Sequence, residues 1–407
     1  MGDAALRDGK RNFILIFVIN LLISISFQML NPTLPKYAVA LGLTTAAAGV
    51  VSTAFVVTSL IIRPFSGRWS GQYNLKTLMY VGLACLMVAM LGYLLANNMP
   101  LLIVCRLIHG LGWGISTTTA ATIAAQSLPE KRLGSGIGVF GLASCISNAV
   151  APNIGLALSA EGKYFPMFMV AVAIPAIGLL LCTGLWLPVV EKKKQSKWLH
   201  VNDFVSVRCL IPVGMVLMLS ISVAAVSNFL ALYADELQVA GIGVFFTVYA
   251  VSLFIFKPLS GRLADKLGFG TVIYGCAALM VIAFMLIGLA KTLWEFLMAA
   301  VLYGAGYGGL QPTLQAWSFR RETPERRGVA SSTFFIGLDA GTGIGASIAG
   351  VAAQLFGYQA MYLLMIVPIV LSVVLYAVSA MRKKGGVQHE TNSESSSCYA
   401  GSGRSSI

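Results

Sequence analysis

The sequence predicts an all-α integral membrane protein whose twelve transmembrane helices form two six-helix bundles related by internal duplication. Three observations predict it. First, 57% of the 407 residues are hydrophobic and only 11% are charged, with a mean hydropathy of +0.82. That is too little charge to coat a soluble surface of this size. Second, RPFSGR at 63–68 and KPLSGR at 257–262 stand 194 residues apart (257 − 63), nearly half the chain. The same offset carries Gly110, Gly112 and Gly114 onto Gly304, Gly306 and Gly308. It also carries Ala143, Ser147, Ala151 and Gly155 onto Gly337, Gly341, Gly345 and Ala349, so one register spans several hydrophobic segments. Third, basic residues collect in every second connection.

Apolar stretches of roughly 20 residues, each enough for a helix across a hydrocarbon core of about 30 Å, fall near 13–32, 46–63, 75–96, 100–124, 135–159 and 165–188 in the first half. Their counterparts lie near 209–233, 241–259, 271–290, 293–317, 329–355 and 359–381. The domains follow: an N-terminus at 1–12, one bundle over 13–188, a polar linker at 189–208, a second bundle over 209–381, and a tail at 382–407. The tail is Ser/Gly-rich and without periodicity, so disorder is expected there. The first segment contains Asn20, Ser24 and Gln28 and is followed by no small-residue cleavage site, so it reads as a span and not as a signal peptide.

The net charge of +13 is a matter of topology and not of nucleic-acid binding. Arg7, Lys10, Arg11, Arg68, Lys76, Lys131, Arg132, Lys192 to Lys194, Lys197, Arg208, Arg262, Lys266, Arg320, Arg321, Arg326, Arg327 and Arg382 to Lys384 occupy alternate connections. The others hold only Lys36, Lys163 and Lys291. The positive-inside rule then puts both termini and the linker in the cytoplasm, with a bacterial inner membrane as the expected location. Six of the seven cysteines lie in or beside spans and Cys398 lies in the tail, with no CxxC or Cys/His spacing. No phosphate-binding GxxxxGK[ST] loop, nucleophile–base pair or metal-ligand cluster occurs, so neither an enzyme nor a metal or other cofactor is expected. Duplicated halves in so apolar a chain are the sequence form of a transporter with its site at the repeat interface.

GRLADKLGFG at 261–270 resembles the loop signature G-x-L-A-D-R-x-G-R-R of the major facilitator superfamily through Gly261, Leu263, Ala264, Asp265, Lys266 and Gly268. The first-half loop, GRWSGQYNLK at 67–76, keeps Gly67 but has Gly71 where the signature's acid stands and Asn74 for its second glycine. RLIHGLGWG at 106–114 resembles the R-x-x-x-G-x-G motif of that superfamily's proton-driven drug and metabolite exporters, and APNIG at 151–155 is a loose echo of their G-P-x-x-G motif. The resemblance implies two bundles that rock about a central cavity lined by the first, fourth, seventh and tenth spans.

Asp265 stands where a helix gives way to a short basic loop, placed to accept hydrogen bonds from a neighbouring helix N-terminus and to pair with Arg or Lys. With Gly67, Gly261, Arg262 and Lys266 it forms an expected conformational latch; a local backbone cap is the alternative. Gly71 makes the latch one-sided. The small-residue stripes recur every four residues and must pack against other helices, either within a bundle or, as the family implies, along the seam between the bundles.

An ionised group near mid-bilayer costs at least about 2.5 kcal/mol, which makes each one a functional candidate. Asp339 lies 12 residues (339 − 327) beyond Arg327, roughly 18 Å along a helix and close to the midplane. It should face a cavity or a donor of its own bundle, either as the proton-coupling carboxyl or as a structural acceptor. Arg106 and His109 share a face of the fourth span; by resemblance Arg106 orders the cavity electrostatically and helps drive proton exchange, and His109, an imidazole that ordinarily titrates near neutral pH, is a further proton-coupling candidate. An outer anchor for Arg106 and plain packing for His109 are the alternatives. Arg63 and Lys257 precede prolines and read as snorkelling anchors at span ends. Asn20, Ser24 and Gln28 form one polar stripe and Tyr303, Tyr307 and Gln311 another; with Ser220, Ser227 and Trp113 they are the expected cavity lining, helix–helix hydrogen bonding being their alternative role. Pro32, Pro35 and Pro312 are expected kink points. Uncharged amides, hydroxyls and rings suit an amphipathic or weakly polar organic molecule. The function expected is proton-coupled export of drug-like or small metabolite molecules by a monomer, with a facilitator, an importer or a non-transporting membrane receptor as the competing readings.

Overall fold

A computed structural model describes residues 2–42, 45–159, 163–187 and 201–381. The tail at 382–407, with Cys398, and linker residues 188–200 lie outside the described residues. Everything regular among the described residues is helical. The first half comprises α1 (Gly2–Ala40), α2 (Thr45–Trp69), α3 (Leu75–Leu95), α4 (Met99–Gln126), α5 (Leu133–Phe140), α6 (Leu142–Leu158) and α7 (Tyr164–Thr183). The second comprises α8 (Leu210–Glu236), α9 (Gly243–Leu267), α10 (Phe269–Leu289), α11 (Leu293–Arg320), α12 (Arg327–Leu364) and α13, residues 366–381.

Two interruptions reconcile these helices with twelve spans. The fifth span is broken at Gly141, which parts α5 from α6. α12 contains Gly357 at φ 79°, ψ 165°, a conformation only glycine adopts cheaply, so residues 327–356 make one span and the rest joins α13 in the last. Nine stretches among the described residues are long and apolar enough to cross a membrane, the stretch Pro324–Met381 holding two spans. α2 and α11, of 25 and 28 residues, complete the set.

Local chemistry marks the helix starts. Asn74 and Asn98 accept the backbone N–H of Lys76 and Leu101 to open α3 and α4, and Thr292 with Glu295 forms a capping box on α11. Gly268, at φ 85°, makes the tight corner between α9 and α10. Large apolar side chains such as Ile61, Phe165, Leu180, Trp294 and Leu355 stay more than half exposed around the outside. An apolar girdle of that extent is a surface for lipid and not for water. The protein is a multi-pass membrane protein.

Each half repeats one packing plan. α2 and α3 lie on α4 as α9 and α10 lie on α11, and α1 packs on α6 as α8 packs on α12. The small-residue stripes fasten the last pairing. A Cβ on Gly345 would sit 2.5 Å from the Ile221 Cα, and one on Gly341 would strike Leu217 and Ser220 of α8; one on Gly155 would strike Met29 of α1. The stripes therefore pack inside each bundle, not along the seam that the family pattern implied. Pro64, Pro258 and Pro312 are inside helices, and α1 continues past Pro32 and Pro35 to Ala40, so these prolines do not close the spans.

The close approach at Gly345 has a direct test. Gly345→Ala should lower thermal stability in detergent by about 1–3 kcal/mol through overpacking against backbone, whereas Gly343→Ala, whose Cβ would meet nothing within 4 Å, should leave the unfolding midpoint unchanged.

Candidate functional site

A cavity of ≈190 Å³ lies between the halves. α1 gives it Asn20, Ser24, Phe27 and Gln28; α2 gives Arg63; α4 gives Trp113 and Thr117; and the break between α5 and α6 gives Phe140, Gly141, Ser144 and Ser147. From the second half come Lys257 of α9, Gln311, Pro312 and Gln315 of α11, and Phe335, Leu338 and Asp339 of α12. Helical spacing aligns each set: Asn20, Ser24 and Gln28 recur every four residues, as do Gln311 and Gln315, so each stripe presents one polar face. Phe27 packs on Trp113 with ring centroids 4.4 Å apart, which gives the cavity an aromatic wall.

Its centre is an ion pair between the halves. Arg63 Nε and Nη2 both donate to Asp339 Oδ2 at 2.8 Å. The guanidinium also stands 4.7 Å from the centre of the Phe335 ring, and Nη1 lies 3.4 Å from Thr117 Oγ1. Phe335 and Asp339 are four residues apart, so one face of α12 grips Arg63 twice. Arg63 is 2% exposed. It was expected to be a span-end anchor and is not one, because α2 continues to Trp69 through Pro64 and leaves Arg63 six residues, ~9 Å, inside the helix. Asp339 was expected to face a cavity or a donor within its own bundle; it faces the cavity, and its donor belongs to the other half.

Lys257 corrects the same expectation. α9 runs on to Leu267, and the buried ammonium donates to the Gly141 carbonyl and to Ser144 Oγ, both at 3.3 Å. Arg63 and Lys257 are equivalent under the 194-residue offset, which was the signal in the sequence that could have marked both as cavity residues.

Several expected site residues lie elsewhere. Arg106 and His109 are buried inside the first bundle. His109 Nδ1 is 3.2 Å from the Tyr93 hydroxyl, and Phe55 lies edge-on to the imidazole and beneath the Arg106 guanidinium. Neither lines the cavity or meets Asp339. Tyr303 is buried among Tyr249, Phe245 and Phe284 in the core of the second bundle, stacked on Tyr307. Ser220 is sealed between α8 and α12. Ser227 is exposed and bonds back to the Val223 carbonyl. These four fall outside the lining: α11 contributes to it only from Gln311 onward, and the serines of α8 face α12 or the exterior. Asn20, Ser24, Gln28, Trp113 and Gln311 do line it.

Beyond the cavity, toward the end carrying the basic loops, the halves are bolted together. Asp265 accepts the backbone N–H of Gly134 at 3.0 Å and of Ser135 at 2.8 Å, at the first turn of α5, and the Arg320 Nη2 at 3.0 Å. Those N–H groups have no partner within their own helix, so a carboxylate satisfies them well. A Cβ on Gly134 would lie 2.8 Å from the Gly261 carbonyl, and the offset-related pair, Gly328 and Gly67, is as close. Arg262 and Lys266 are exposed. On the opposite side Gly71 abuts the Glu325 carbonyl, and Arg327 reaches across to the Ala125 carbonyl at 2.9 Å and to Glu130 at 3.2 Å. Linker residues 201–209 join this closure: Phe204 packs edge-on to Phe65 and under Arg68 of α2, while Ser206 bonds Glu322 and Thr333 of the second half.

Two pseudo-symmetric helix bundles enclosing a polar cavity with an ion pair between them define a secondary transporter. The family model described as Major Facilitator Superfamily matches residues 16–212 and again 210–400, and the chain belongs to that superfamily; it is a transporter and not an enzyme. The multidrug resistance protein MdtG of Enterobacter lignolyticus (strain SCF1) is 23% identical over 395 residues, covering 92% of this chain and 93% of its own. The crystal structure of the human organic anion transporter MFSD10 (TETRAN) superposes with a TM-score of 0.78 at 18% identity, covering 90% of this chain and 99% of its own. A bacterial homologue of the iron transporter ferroportin, in an outward-facing state, also gives 0.78, at 16% identity and with 91% and 99% covered.

The Asp265 contact should be measurable as closure. Removing charge-assisted hydrogen bonds worth at least about 1.4 kcal/mol shifts a two-state ratio tenfold or more. Asp265→Ala should therefore speed thiol labelling of a cysteine introduced at Ser331, whose hydroxyl is buried against the Thr118 carbonyl across the closed seam, by about that factor.

Proposed function

We propose that this transporter exports drug-like or small organic metabolite molecules in exchange for protons, by alternating access, working as a monomer in a bacterial inner membrane with both termini and the basic loops in the cytoplasm. The observation that carries this reading is the Arg63–Asp339 pair, a carboxylate inside the cavity that bonds across the seam between the halves. While Asp339 is ionised the pair ties α2 to α12. Protonation removes the negative charge, leaves Asp339 a neutral and weaker acceptor for Arg63 beside Phe335 and Thr117, and so weakens the tie between halves. Proton occupancy would then bias which face is closed. Closure of the basic end by Asp265, Arg327 and the linker supports a conformation that opens to the other side, and Asp265 with Gly67 and Gly261 is the proposed latch. Export of organic molecules is supported by the MdtG relatives, named for multidrug resistance, and by a lining of amides, hydroxyls and aromatic rings.

Reconstitution into liposomes with an internal pH-sensitive dye tests it. Under an imposed proton gradient, addition of substrates from a chemically mixed panel should move protons through the wild type. Asp339→Asn should abolish that movement while sparing substrate exchange. Substrate flux without proton movement, equal in both proteins, would instead make this a facilitator in which Asp339 has a structural role.

A further inference from the structure

The cavity holds two cations and one carboxylate, and the carboxylate is already taken. Asp339 spends one oxygen on two bonds to Arg63. Lys257, 3% exposed, has only the Gly141 carbonyl and the Ser144 hydroxyl, each at 3.3 Å, and among the described residues no carboxylate lies within ion-pair distance of it. The duplication explains how this arose. The 194-residue offset that relates Lys257 to Arg63 relates Asp339 to Cys145 (339 − 194), so the cation is present in both halves and the acid in one. An ammonium has three N–H donors, and burying its charge without a counter-ion is costly. We infer that Lys257 is the counter-ion for the transported molecule, and that the cargo is an amphipathic organic monoanion. Its acidic group would lie at Lys257, beside the break between α5 and α6, and its apolar body against Phe27, Trp113 and Phe335. The inference deepens, and rests on, the reading of this cavity as the transport site. It narrows the amphipathic or weakly polar organic cargo expected from amides, hydroxyls and rings to one with a single negative charge.

Calorimetric titration of the purified full chain in detergent, with paired isosteres, tests it. The probes are benzoate against benzamide and 1-naphthoate against 1-naphthamide, which differ in charge and little in shape. The wild type should bind a carboxylate at least tenfold more tightly than its amide. Lys257→Gln should remove that preference by weakening the carboxylate alone, and Lys257→Arg should keep it. Equal binding of acid and amide by the wild type overturns the inference, as does binding of both carboxylates weaker than about 1 mM. A preference retained in Lys257→Gln overturns it too, since Arg63 would then be the anion's partner. The wild-type comparison stands even if a variant fails to fold. Because the titration uses no gradient, its failure leaves proton-coupled export intact, and loss of proton coupling in liposomes leaves the anion preference intact.

Discussion

An ion pair whose two members belong to different halves of the molecule constrains everything around it. Arg63 and Asp339 meet at 2.8 Å in a setting where Arg63 is almost wholly buried. Their attraction there is far stronger than in water, and separating them without neutralising either would strand two charges in a poor solvent. The halves can part at this level only if a proton, a substrate or water compensates. Glycine stripes press α6 on α1 and α12 on α8 backbone to backbone, which makes each bundle a stiff unit. The helix stays continuous through Pro64 so that Arg63 is carried inward to the cavity and not left at the lipid headgroups.

The duplicated halves have diverged in charge more than in backbone packing. Equivalent positions hold Arg63 and Lys257, but Asp339 corresponds to Cys145 and Asp265 to Gly71. The backbone contacts obey the pseudo-twofold, as the Gly134–Gly261 and Gly67–Gly328 approaches show, while the acids do not. Shape is thus symmetric and charge is not. One seam is held by a carboxylate on a helix N-terminus, the other by Arg327 on the last carbonyls of α4. These are opposite uses of the helix dipole.

The architecture was legible because it rests on composition and repetition: apolar runs of membrane length and an offset that recurs from Arg63 to Ala349. Asp339 was legible as the one deep carboxylate, and Asn20, Ser24, Gln28 and Gln311 as stripes with helical period. What was not legible was pairing across the seam, since no local pattern encodes which residue of the other half will face Asp339. Arg63 and Lys257 were misjudged through proline: an X-Pro step ordinarily marks a helix boundary, yet both helices here tolerate it and extend further. Tyr303 and Ser220 show the converse error. Tyr303 stands at helical spacing from Gln311, and Ser220 on a span that the family pattern gives to the cavity, but neither signal says whether a side chain meets water or another helix.

The clasp made by linker residues 201–209 has a kinetic side. Phe204 is held by α2, and Ser206 by Glu322 of the α11–α12 connection and by Thr333 of α12, on a segment continuous with α8. Because the halves are one polypeptide confined to a bilayer, every closure is an intramolecular encounter at an effective concentration in the millimolar range or above. Contacts too feeble to join two separate proteins therefore suffice to hold the basic end shut, and their feebleness lets it reopen. A stronger clasp would lengthen the dwell time of one state and slow turnover, so selection on such a segment favours contacts that are numerous, small and easily lost.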